Sequence, residues 1–91
     1  MTVFTYLARC NDKSLYTSSC FNISKREQNQ NKGERSQYTK KRLPVHIIYF
    51  EKFNSLIETR QREKQIKGWS RIKKENLIKF GHPIKRPENI D

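Results

Sequence analysis

Val3-Phe4-Thr5-Tyr6-Leu7-Ala8-Arg9-Cys10, followed by Asn11-Asp12-Lys13-Ser14 and Leu15-Tyr16-Thr17, is the stretch on which the fold turns. Its first eight residues are rich in aromatic and β-branched side chains, the composition of a strand. The next four are turn formers, because Asn, Asp and Ser side chains hydrogen-bond their own backbone. Residues 3–18 therefore predict a β-hairpin. Strand alternation puts Phe4, Tyr6, Ala8 and Cys10 on one face and Val3, Thr5, Leu7 and Arg9 on the other.

Working outward, Asn22 can cap a short polar helix over 23–31 that stops near Gly33. Residues 32–42 read as a basic loop, and Val45–Phe50, entered through Pro44, as a third strand. Ser55 and Glu58 have capping-box spacing and predict a helix running to Lys67, ended by Gly68. Ser70 predicts a last helix to Phe80, closed by Gly81. The order β-β-α-β-α-α makes a small α+β domain over residues 1–81, with three antiparallel strands and helices packed on the sheet. The segment 82–91, with Pro83 and Pro87, has little to bury and is expected to be a flexible tail.

Composition narrows the function. The chain has 91 residues, 33% hydrophobic and 32% charged, so its core is small. A chain of this length buries roughly 60–65% of its unfolded surface, which leaves no room for a bulky organic cofactor. The longest apolar run, Ile47-Ile48-Tyr49-Phe50, is far short of a membrane span, and no secretory leader is expected. Cys10 and Cys20 are expected to be free thiols in a reducing cytoplasm.

The net charge is +11 and it is uneven. Residues 25–42 carry seven basic and two acidic side chains, and residues 60–86 carry ten and two. Residues 43–59 between them hold one Lys and two Glu. Two basic regions around a nearly neutral middle suit a polyanion. Nucleic acid is the expected partner, because each neutralised phosphate releases condensed counterions. A membrane surface would want a broad apolar helix face, which Ser70–Phe80 lacks.

There is no glycine-rich phosphate loop, HExxH or GxSxG. Cys10, Cys20, His46 and His82 are too far apart for zinc-finger spacing. A basic surface bearing Tyr6, Tyr16, Arg26 and Glu63 remains. Singly, each has a structural explanation: packing for a strand tyrosine, solvation for Arg26, and a one-turn ion pair with Lys67 for Glu63.

Their order and spacing point further. Phe4-Thr5-Tyr6, Tyr16-Thr17-Ser18, Arg26 and Glu63 resemble the motifs of the GIY-YIG endonuclease superfamily, and of its small stand-alone members in particular. The two tyrosines stand ten residues apart, as in that subfamily. Gln37-Tyr38-Thr39, Arg42-Leu43-Pro44-Val45 and the run from Arg62 through Gly68-Trp69-Ser70-Arg71 extend the resemblance over residues 3–80.

The resemblance implies a metal-dependent endonuclease acting on DNA with Mg²⁺ or Mn²⁺; nothing in the sequence demands a dimer, and a monomer is expected. It implies Tyr16 as general base, Arg26 on the phosphate, Glu63 on the metal and Tyr6 in support. A phenol ordinarily titrates near about 10, so a tyrosine base needs positive charge nearby. Lys40, Lys41 and Arg42, with Lys67, Arg71, Lys73 and Lys74, are the expected backbone contacts. Four positions depart from the family pattern: Phe4 and Ser18 stand where glycines occur, Gln30 where a histidine is common, and Glu27 where relatives are apolar. A binding module of the same fold without catalysis is the alternative.

Overall fold

β1 (Val3–Arg9) and β2 (Leu15–Cys20) form the hairpin, antiparallel, with Tyr6 opposite Ser18 and Ala8 opposite Tyr16 in the computed structural model, which describes residues 2–33 and 37–81. The turn closes as its composition predicts. The Asp12 carboxylate accepts from the Ser14 amide (3.0 Å) and hydroxyl (2.5 Å), and Ser14 O accepts from Cys10 N (2.9 Å). Lys13 takes the left-handed conformation at φ 70°.

β3 (His46–Phe53) pairs antiparallel with the other side of β1, so the sheet order is β2-β1-β3. The central strand is buried on both faces, which is why β1 reads as almost continuously apolar. One face carries Tyr6, Ala8 and Cys10 with Cys20 and Val45; the other carries Leu7 against Ile66 and Leu77. β3 continues three residues past Phe50, where the sequence turns polar. It continues because Glu51 accepts the Tyr49 hydroxyl (2.5 Å) and the Arg62 guanidinium (2.7 and 3.0 Å), so the polar end is tied down.

The first helix, α1 (Ile23–Asn31), is capped by Asn22, whose side chain accepts from Lys25 N at 2.9 Å. It has scarcely any apolar stripe, and polar side chains hold it instead. Asn31 donates to Val45 O (2.9 Å) and accepts from Val45 N (2.7 Å), as a neighbouring strand would. Glu27 accepts from Ile47 N at 2.7 Å. The register of β1 on β3 shifts between Leu7 and Ala8, which face Tyr49 and Ile47. α1 thus satisfies backbone groups near this irregularity, and Glu27 has a definite task there.

The predicted loop 32–42 holds one helical turn, α2 (Gln37–Lys40), with Thr39 buried. Residues 82–91, read as a tail, lie outside the described residues. α3 (Leu56–Lys67) starts on Ser55, whose hydroxyl accepts from Glu58 N, and its Thr59 carbonyl accepts from the buried Thr5 hydroxyl at 2.8 Å. Gly68 ends it with φ −79°, so no left-handed residue is needed there. α4 (Arg71–Phe80) is capped by Ser70 and does end on a left-handed glycine, Gly81 at φ 78°. Arg9 grips Glu75 with two bonds of 2.6 and 2.8 Å, which fastens α4 to β1.

Candidate active site

β2 is an edge strand, and its last residues lie between α1 on one face of the sheet and α3 on the other. Alternation gives Tyr16 and Ser18 to the α1 face, with Tyr6, and Ser19 to the α3 face. Four groups converge here. The Arg26 guanidinium donates to the Ser19 carbonyl (2.8 Å) and to the Tyr6 hydroxyl (3.3 Å). The Ser19 hydroxyl donates to Glu63 Oε1 at 2.5 Å. Ser19 therefore links Arg26 to Glu63 through the sheet edge, main chain on one side and side chain on the other.

Tyr6 is fully buried, and its hydroxyl also accepts from Gln30 Nε2 at 3.0 Å. Burial pushes its phenol up, against the opposing pull of Arg26. Tyr6 is accordingly a neutral phenol that fixes Arg26 and Gln30. Gln30 is itself buried, and its Oε1 has no partner among the described residues. The Tyr16 ring lies 6.5 Å from that of Tyr6 and stacks on Tyr38 at 5.8 Å, and the Arg42 guanidinium lies 3.8 Å from the centre of the Tyr38 ring.

Glu63 Oε2 pairs with Lys67 at 2.7 Å. Burial pushes the Glu63 carboxyl up, but Lys67, the Ser19 hydroxyl and Arg60 outweigh it and hold it below the usual range. It is a carboxylate at neutral pH. Arg26, Arg60 and Glu63 line a cleft of about 520 Å³ together with Ser18, Ser19 and the apolar Phe21 and Leu56. Neither tyrosine is part of its wall.

The structure thus brings together Tyr6, Arg26 and Glu63 and sets Tyr16 one ring along the sheet. Sequence reasoning missed Ser19 and Arg60. Arg60 lies three residues before Glu63, hence on the same helix face, and that spacing alone was a usable signal. Ser19 had none, because its role depends on which helix passes the strand edge. Of the expected backbone contacts, Lys40, Lys41 and Lys73 are exposed. Three others are already engaged. Arg42 pairs with Asp12 (2.9 Å) and bonds Tyr38 O, Lys67 pairs with Glu63, and Arg71 donates to Lys13 O at 2.6 Å.

Glu63 is an ionised acid in a polar cleft, and its Lys67 partner has a side chain 53% exposed and able to swing away. One carboxylate completed by water and phosphate oxygens is an ordinary shell for Mg²⁺, so the residues fit such an ion. Among the described residues no three His, Cys, Asp or Glu side chains gather into an all-protein cage.

The sheet order β2-β1-β3, with Tyr6, Arg26 and Glu63 gathered about the end of β2, belongs to a chain whose family is of the nuclease type. The profile of the GIY-YIG catalytic domain matches residues 2–76, and the chain belongs to that family. It is 41% identical over 76 residues to the UPF0213 protein of Staphylococcus aureus strain Mu3, covering 84% of this chain and 93% of that one. The solution structure of the UPF0213 protein BH0048 from Bacillus halodurans matches with a TM-score of 0.58 and 29% identity over 90% of this chain and 87% of that one. The solution structure of EF2693 from E. faecalis matches with a TM-score of 0.61 and 28% identity over 99% and 96%. Among the described residues no helix is long and apolar enough to cross a membrane.

Proposed function

We propose that the chain is a metal-dependent endonuclease that hydrolyses phosphodiester bonds in DNA. The observation that carries this reading is the cleft in which Arg26 and Glu63, from helices on opposite faces of the sheet, meet at the edge of β2. Phosphodiester hydrolysis builds negative charge on the phosphoryl oxygens. Arg26 would hold that charge, its guanidinium pre-aimed by Ser19 O and the Tyr6 hydroxyl. Arg60 adds a second cation lining the same cleft. Glu63 would hold Mg²⁺ or Mn²⁺, which supplies Lewis-acid stabilisation of the phosphate when bound. Tyr16, outside the cleft wall and two residues along β2 from Ser18, which lines it, would take the proton of an attacking water lying between them, and Tyr6 would position Arg26.

Lys40, Lys41 and Lys73 would meet the DNA backbone through charge alone, so binding should weaken steeply with salt. The test is nicking of supercoiled plasmid with Mg²⁺ or Mn²⁺ against EDTA. Glu63→Ala and Arg26→Ala should abolish metal-dependent nicking, and Glu63→Ala should leave binding nearly intact. Salt-sensitive binding with no nicking in either metal would establish the chain as a binding module of the same fold.

A further inference from the structure

Phe21 is the single residue between the end of β2 and the cap of α1, and its side chain is 60% exposed. Its backbone is pinned on both sides. Cys20 is buried, and the Asn22 side chain is committed to the amide of Lys25. The backbone that carries the ring is therefore fixed, and the ring stands exposed. Phe21 and Arg26 line two clefts at once: the one of about 520 Å³ with Arg60 and Glu63, and a second of about 160 Å³ with Lys25 and Asn29.

From this placement we infer that the smaller cleft is a subsite for one unpaired DNA base, stacked on Phe21, of the strand whose phosphate lies on Arg26. The inference rests on the nuclease reading for the phosphate and adds the base. Its elements are those of single-strand recognition, a cationic track with an exposed aromatic face beside it. Lys25 and Arg26 supply the track, and a cleft this small admits a flat ring rather than a bulky ligand. The Asn29 carboxamide offers both a donor and an acceptor to a base edge, and it has no side-chain hydrogen bond among the described residues. Of the other exposed apolar side chains, Ile57 and Ile72 are aliphatic, Phe50 packs edge-to-face on Phe4 at 5.4 Å, and Tyr38 already stacks on Tyr16, so Phe21 is the exposed aromatic ring that lines the clefts. Bases inside an intact duplex are already stacked, so the substrate this subsite selects is single-stranded or frayed DNA.

The test is binding of the full chain in EDTA, which removes cleavage from the readout. An oligo-dT strand is compared with an abasic strand of equal length and equal phosphate charge. The wild type should bind oligo-dT about tenfold more tightly, the scale of one base–aromatic stack. Phe21→Ala should bring the ratio close to one, Phe21→Trp should keep it, and Ile72→Ala should leave it unchanged. A 2-aminopurine in the strand should be quenched by the wild type and by Phe21→Trp but not by Phe21→Ala. Equal binding of the two strands by the wild type, no binding of either, or a preference that survives Phe21→Ala would overturn the subsite. Base preference without any nicking would overturn catalysis and leave the subsite standing; nicking without base preference would do the reverse.

Discussion

The helices on the two faces of the sheet are held by different physics. Beneath α3 and α4, Leu7, Ile66 and Leu77 are buried and Tyr49, Trp69 and Ile78 pack around them. Beneath α1 the packing is polar as much as apolar: Gln30 on the Tyr6 hydroxyl, Asn31 on both backbone groups of Val45, and Glu27 on Ile47 N. Apolar burial supplies stability without direction, whereas hydrogen bonds from α1 specify where that helix sits. The helix that must be placed by hydrogen bonds is the one that carries Arg26. The site thus rests on apolar packing on both faces of the sheet and takes its aim from the hydrogen bonds of α1.

That contrast can be broken by mutation. The largest effect is expected from Leu77→Ala or Ile66→Ala. Each should cost about 2–5 kcal/mol, a large share of the stability of a domain this small, read as a lower urea midpoint. Asn31→Ala comes next. It strands the Val45 amide and carbonyl and should cost about 1–3 kcal/mol, with faster hydrogen exchange at the Val45 amide. If Asn31→Ala proved neutral while Val45 stayed protected, the aiming role of α1 would be lost.

A pH experiment sharpens the comparison at the seam between the two halves. Glu63 has a folded-state pKa below its unfolded value, so its contribution is fully present above about pH 4.3, the ordinary carboxyl value. It is lost as pH falls through the lower folded value. Glu63→Gln should therefore flatten part of the acid limb of stability against pH and leave the neutral region little changed. An unaltered acid limb would mean that Lys67 and Ser19 do not favour the ionised form. The smallest effect is expected in the hairpin turn. Lys13→Gly relieves a left-handed lysine and should stabilise by up to about 1 kcal/mol, seen as a small rise in Tm.

Elements governed by local chemistry were legible from the chain alone. The turn at Asp12–Ser14, the caps Asn22, Ser55 and Ser70, and the left-handed stop at Gly81 each depend on a few consecutive residues. The alternation of β1 also holds, since period-two patterning needs only the strand itself. α2 was hidden because a single helical turn carries no periodic signal. The extension of β3 past Phe50 was hidden because Arg62, a neighbour in space but not in sequence, satisfies Glu51.

The site divides in the same way. Tyr6, Tyr16, Arg26 and Glu63 are candidates named from their spacing within motifs that resemble the family's, and the excess of basic residues is read directly from composition. Which of them meet could not be read that way. Ser19 as the bridge, Arg60 on the cleft wall, Gln30 on the Tyr6 hydroxyl and the engagement of Arg42 and Arg71 follow from two helices approaching one strand edge from opposite faces. Sequence determines propensity, alternation and charge because these act over a few residues. Only the tertiary structure decides which donors and acceptors lie within 3 Å of one another, because a hydrogen bond depends on position in space and not on separation along the chain.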